Sequence, residues 1–137
     1  MASTFINYLW PLVLPLGAVA GETYLSQGLT PAELQERLAS DHAPLVVDVR
    51  KPIEFGIGHI PGAVNIPVEQ LEARLGEVSD ADGVLIYCIN GSRTRQAEPL
   101  LFTNDIDPVY HLEGTFQAWI QGGFPIEKGG VVKKTGW

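Results

Sequence analysis

Cysteine is almost absent from this chain: among its 137 residues only Cys88 carries a thiol. An intramolecular disulfide is therefore excluded. With no Cys pair and no Cys/His cluster at ligand spacing, dithiol redox chemistry and a zinc site are both disfavoured. Basic residues are also few. Nine Lys and Arg face sixteen Asp and Glu, the formal net charge is −7, and there is no basic run, so nucleic acid is not an expected partner. No uninterrupted apolar run reaches the roughly 20 residues that a membrane-spanning helix needs. Internal repeats and low-complexity stretches are absent.

What is present is globular. Hydrophobic residues make up 45% and charged residues 18%, the composition of one domain with a real core. The few cations are unevenly placed. Between Asp80 and Glu127 the only Lys or Arg residues are Arg93 and Arg95, both just after the cysteine. They read either as ordinary helix-surface residues or as a local positive site for an anionic substrate in an acidic protein.

The ends differ from the middle. Residues 1–21 carry no charged side chain, and Phe5 to Ala20 is apolar apart from Asn7, with Pro11, Pro15 and Gly17 as breaks. Ala18-Val19-Ala20 before Gly21 has the small-x-small form of a signal-peptidase site, although a basic n-region is missing. Residues 1–24 are thus read as a signal peptide, a membrane anchor or a packing arm. The first two imply membrane contact through residues 5–20 and a periplasmic or membrane-associated location. The third leaves a cytoplasmic one. A mitochondrial transit peptide is disfavoured because Arg is missing. The domain is assigned to 25–127, and 128–137, Gly- and Lys-rich and ending in Trp137, to a tail.

Along the domain, Thr30-Pro31-Ala32-Glu33 predicts a helix start, with Thr30 as N-cap, Pro31 at the first position and a capping box through Glu33. Leu45 to Val49 is a β-branched run typical of a strand covered on both faces. Residues 50–62, with two prolines and three glycines, predict mostly loop. A short strand over 63–66, a helix over 68–75 stopped by Gly76, a central strand over 84–87, a helix from Thr94 to Leu101, a strand over 108–112 and a helix over 115–121 follow. This alternation implies an α/β fold: a mostly parallel central sheet of about five short strands with helices on both faces.

Cys88 sits at the carboxyl end of the central strand, where open parallel sheets place their sites. A helix beginning at Thr94 would point its positive end at the loop. Successive loop amides can form an anion nest, and Gly91 permits the torsions this needs. A thiolate, or a sulfur-loaded derivative of it, is what such donors favour. The competing reading is a small buried hydrophobe. The Gly, Ser, Arg and Thr that follow, and the strand–loop–helix context, argue against it.

Four segments in order now resemble one family. Asp48-Val49-Arg50 with Glu54-Phe55, Gly58-His59-Ile60-Pro61-Gly62-Ala63-Val64-Asn65-Ile66-Pro67, Cys88-Ile89-Asn90-Gly91-Ser92-Arg93-Thr94, and Leu112-Glu113-Gly114-Thr115 through Gly123-Phe124-Pro125 resemble a single-domain rhodanese, a sulfurtransferase module, over about residues 28–127. The resemblance implies a rhodanese-like three-layer fold. It implies that Cys88 is the catalytic nucleophile, taking sulfur from a small anionic donor such as thiosulfate and passing it to cyanide or a thiol. It implies substrate contacts from Ile89, Asn90, Gly91, Ser92, Arg93 and Thr94, and no metal or organic cofactor. Four residues separate Cys88 from Arg93, whereas related phosphatases and arsenate reductases use a longer loop, so phosphate or arsenate chemistry is the lesser alternative. A sulfur carrier loaded by a partner protein is the other.

Two positions depart from the pattern. Ile89 is apolar where many members are polar or basic, and Thr115 stands where a second glycine is frequent. Asp48, Arg50, Arg95 and His59 are candidates behind the site. Arg50 is expected to pair with Glu54 or another carboxylate, and His59 to hydrogen-bond backbone. His42 and His111 read as surface or strand-edge residues, Trp119 and Phe116 as core, and the acidic stretch 68–78 as a solvated face.

Overall fold

The computed structural model describes residues 23–130. The expectations for residues 1–22, including membrane contact through 5–20, and for Trp137 lie outside the described residues. Among the described residues no helix is long and apolar enough to cross a membrane.

Five parallel strands form one sheet. They are β1 (Gln27–Leu29), β2 (Leu45–Asp48), β3 (Val64–Asn65), β4 (Val84–Tyr87) and β5 (Val109–Leu112), in spatial order β1-β5-β4-β2-β3. The helices are α1 (Pro31–Leu38), α2 (Pro52–Ile57), α3 (Val68–Leu71), α4 (Ser92–Thr103) and α5 (Thr115–Gln121). Alternate strand residues feed two separate cores, because successive side chains leave a strand on opposite faces. Val47 and Ile86 join Leu71, Ala97 and Leu101 from α3 and α4. Val46, Leu85 and Tyr87 join Leu34, Phe116 and Trp119 from α1 and α5. The three layers expected from the alternating pattern are therefore present, with β4 central and buried along its whole length.

Local signals explain most boundaries. Thr30 Oγ1 accepts from Glu33 N at 3.1 Å and Glu33 Oε1 accepts from Thr30 N at 2.9 Å, the capping box that starts α1. Such a cap contributes about 1 kcal/mol.

Four expectations are corrected. The segment 50–62 is not loop throughout: Pro52–Ile57 form α2, with Pro52 at its first position, where its missing N–H has no partner to lose. The helix expected over 68–75 is α-helical only to Leu71. It continues as a 3-10 helix over Glu72–Glu77, and Arg74 leaves helical geometry at φ −116°. The helix after the cysteine starts at Ser92, not Thr94, because Gly91 takes the left-handed N-cap position at φ 88°. His111 is not a surface or edge residue. It lies in β5, between β1 and β4, and is buried. Strand β1 itself has no sequence counterpart: Gln27-Gly28-Leu29 lacks β-branched residues and is recruited by backbone pairing to β5.

Candidate active site

β2 and β4 run in parallel register, Asp48 opposite Tyr87, so both end at the same edge of the sheet. Cys88 is the next residue after β4, and its side chain is only 1% exposed. The backbone turns at once. Gly91 N–H donates to Cys88 Sγ at 3.0 Å, and α4 begins at Ser92. A twelve-residue helix thus directs its positive end at the sulfur. Of the other loop donors, Ser92 N–H is turned to Asn90 Oδ1 at 3.0 Å.

The carbonyls of the loop are held from α5. Phe116 N–H donates to Cys88 O at 3.0 Å, and Thr115 Oγ1 donates to Ile89 O at 2.7 Å. Thr115 adopts φ 63°, a region a β-branched residue seldom occupies and one that costs about 1 kcal/mol or more. The hydroxyl bond to the sulfur loop accompanies that strain. Gly114 is the N-cap of α5.

The two cations near the loop are both engaged. Arg93, in the first turn of α4, pairs with Glu54 of α2 at 2.9 Å, and both side chains remain partly exposed. Arg95 places its guanidinium 5.4 Å from the centre of the Tyr24 ring. Asn90 and Ser92 are exposed at the tip, Thr94 is buried beneath it, and Ile89 packs on the Tyr87–Phe116 core. Among the described residues no cluster of three or more His, Cys, Asp or Glu side chains is placed to hold a metal ion.

Comparison with known proteins identifies the family and the fold. The family model described as a rhodanese-like domain matches residues 30–121. A sulfurtransferase of Allochromatium vinosum is 37% identical over 93 residues, covering 68% of this chain and 87% of that protein. The chain belongs to the rhodanese family. A rhodanese-related protein of Thermoplasma volcanium superposes with a TM-score of 0.66 at 28% identity, covering 74% of this chain and 97% of its own. A thiosulfate sulfurtransferase of Pseudomonas aeruginosa superposes at 0.69 with 25% identity over 77% of this chain, but this rhodanese domain spans only 20% of that longer protein.

Behind the sulfur loop, this rhodanese domain buries an ion pair. The Asp48 carboxylate accepts from Arg50 Nε at 2.9 Å, Arg50 Nη2 at 2.6 Å and the Arg50 backbone N–H at 2.9 Å. Arg50 Nη2 also donates to Gly58 O at 2.6 Å, which fixes the far end of the 51–58 excursion. Arg50 therefore pairs with Asp48, and Glu54 serves Arg93. The guanidinium lies 4.4 Å from the centre of the Phe116 ring. Tyr87 completes the wall, its hydroxyl accepting from Ile60 N at 3.0 Å; burial, then the Asp48 charge, pushes its phenol far above the ordinary range. His59 contacts backbone as expected, Nδ1 at 2.8 Å from Phe55 O, with Nε2 3.1 Å from Glu127 Oε1.

Sequence reasoning missed Tyr24, Ser26 and Glu98. The Glu98 carboxylate is buried and accepts from the N–H groups of Leu25 and Ser26 at 3.0 and 2.9 Å. The available signal was the spacing of Arg95 and Glu98 along one helix face.

Proposed function

We propose that this domain moves sulfane sulfur from a donor such as thiosulfate to a thiophilic acceptor, cyanide or a thiol, through a persulfide on Cys88. The observation that carries the reading is the Gly91 amide 3.0 Å from Cys88 Sγ, at the carboxyl end of the central strand and the start of α4. Cys88 thiolate attacks the outer sulfur of thiosulfate. A Cys–S bond to that sulfur forms, the S–S bond of the donor breaks, and its electron pair leaves with sulfite. The acceptor then attacks the outer sulfur of the persulfide, and the electron pair of that bond returns to Cys88. Cyanide leaves as thiocyanate. The loop amide and the helix end stabilise negative charge on the sulfur in both steps. Two half-reactions through one covalent intermediate give ping-pong kinetics.

The pairing of Arg93 with Glu54 favours a second reading in which a partner protein supplies the sulfur. A small dianion must compete with Glu54 for that guanidinium, whereas a protein persulfide brings its own binding surface. A membrane or periplasmic location, with a cytoplasmic one as the alternative, is part of this proposal and rests on the sequence of residues 1–24 alone.

The test is steady-state transfer from thiosulfate and from an organic persulfide to cyanide. Parallel-line kinetics are expected, with no transfer by a folded Cys88→Ser variant. Transfer retained in that variant contradicts the mechanism. Transfer from the organic persulfide alone favours the partner-loaded reading.

A further inference from the structure

The first half of the sulfur loop is held by α5, through Thr115 and Phe116. The second half, Gly91, meets a different element. Arg95 and Glu98 share one face of α4, three residues apart, and Gly91, the N-cap, stands at the start of that face. The segment Tyr24–Ser26, leading into β1, is laid along that face. At its far end Glu98, 1% exposed, accepts from Leu25 N at 3.0 Å, from Ser26 N at 2.9 Å and from the Ser26 hydroxyl. Ser26 Oγ is also 3.0 Å from His111 Nδ1. A buried carboxylate with three donors is a fixed point.

At the near end, the Tyr24 ring stacks on His111 with centroids 3.7 Å apart and planes 8° from parallel. Its hydroxyl lies against the α-carbon of Gly91. A Cβ built on Gly91 would overlap that hydroxyl and stand 2.9 Å from Arg95 Nη1. Gly91 is thus required by its φ of 88° and by the close approach of Tyr24. Burial raises the Tyr24 phenol and Arg95 opposes the rise, so the hydroxyl keeps its proton at neutral pH. The segment lies outside the family match over 30–121.

We propose that Tyr24 is a positioning residue of the sulfur loop: pressed on Gly91 and anchored through Glu98, it holds the amide that faces Cys88 Sγ. Glycine is the residue with the most freedom to wander, and its N–H is the donor seen on the sulfur. The catalytic part of the proposal rests on the sulfur-transfer reading; the ordering of the loop does not.

The test uses the full chain with Tyr24→Ala, Tyr24→Phe and Glu98→Gln. Two quantities are read: hydrogen exchange at the Gly91 amide by NMR, and the single-turnover rate of sulfur loading from thiosulfate and from cysteine hydropersulfide. In Tyr24→Ala, Gly91 exchange is expected to rise about tenfold while Ile86 in β4 is unchanged. Loading slows about tenfold with the half-saturating donor concentration unmoved, because Tyr24 positions the loop and does not hold the donor. Tyr24→Phe keeps the stack on His111 and shifts both readings by roughly threefold; it carries the test if the Ala variant does not fold. Glu98→Gln, which weakens the anchor, moves both in the same direction. Gly91 exchange within twofold of wild type in Tyr24→Ala overturns the proposal. So does faster exchange with unchanged loading. A wild-type chain that takes up no sulfur, but whose Gly91 exchange responds as stated, supports the ordering and overturns the sulfur-transfer reading, so the two failures are distinct.

Discussion

Two buried polar clusters flank the strand that carries Cys88, and they do different work. On the β2 side, Asp48 and Arg50 form an ion pair that reaches Gly58 O and braces the backbone of the 51–58 excursion. On the β5 side, Glu98, Ser26, His111 and Tyr24 form a chain of hydrogen bonds and stacked rings that ends on Gly91, in the sulfur loop itself. The first cluster is charged at both ends and shapes the surroundings. The second has one carboxylate and controls the position of a single amide. Stability and chemistry are thereby divided between two sides of one strand.

Breaking the first cluster has the larger effect on stability. Asp48→Ala leaves the Arg50 guanidinium buried without its partner, and urea unfolding is expected to show a loss of about 3–5 kcal/mol. The matching change on the other side, Glu98→Ala, strands donors from Leu25 and Ser26 but no cation. Its expected loss is about 1–3 kcal/mol, measured in the same way. Equal losses would remove the distinction between the clusters.

The next effect is on the donor rather than on the fold. Glu54→Gln frees Arg93 from a half-exposed pair, so stability should change by less than about 1 kcal/mol. The KM for thiosulfate is expected to fall on the order of threefold, with that for an organic persulfide unchanged. A KM that does not move would take Arg93 out of the donor site.

The smallest effect sharpens the comparison through pH. Burial depresses the pKa of His111, against the opposing charges of Glu98 and Glu113 and the Ser26 contact. Below the ordinary histidine range, near 6.5, the unfolded chain therefore takes up a proton before the folded one does. The His111 contribution to stability is present above that range and is lost as pH falls through it. Unfolding measured at pH 7.5 and 5.5 should show a smaller drop in His111→Gln than in wild type. An equal drop would place the titration elsewhere.

The sequence made one of these clusters legible and hid the other, for physical reasons. Asp48, Arg50 and their strand stand in a contiguous motif, and the β-branched run fixes where the strand ends. The Cys88 loop is legible for the same reason, since strand, glycine and helix follow one another directly. Tyr24, Ser26, Glu98 and His111 are brought together by the pairing of β1 with β5, and β1 is too short and too poor in β-branched residues to announce itself. Pro52 shows the opposite error. Two prolines and three glycines over 50–62 read as loop, yet a proline at the first helical position favours α2. The departure at Thr115 was visible, but its bond to Ile89 O depends on a left-handed backbone that no local pattern signals.

The most direct measurement is intact-protein mass spectrometry after incubation with thiosulfate or cysteine hydropersulfide, comparing wild type with Cys88→Ser. The account predicts a gain of one sulfur atom in wild type, removed by cyanide and absent from the variant. A folded wild-type protein that gains no sulfur from either donor, or a variant that gains it as readily, would contradict it.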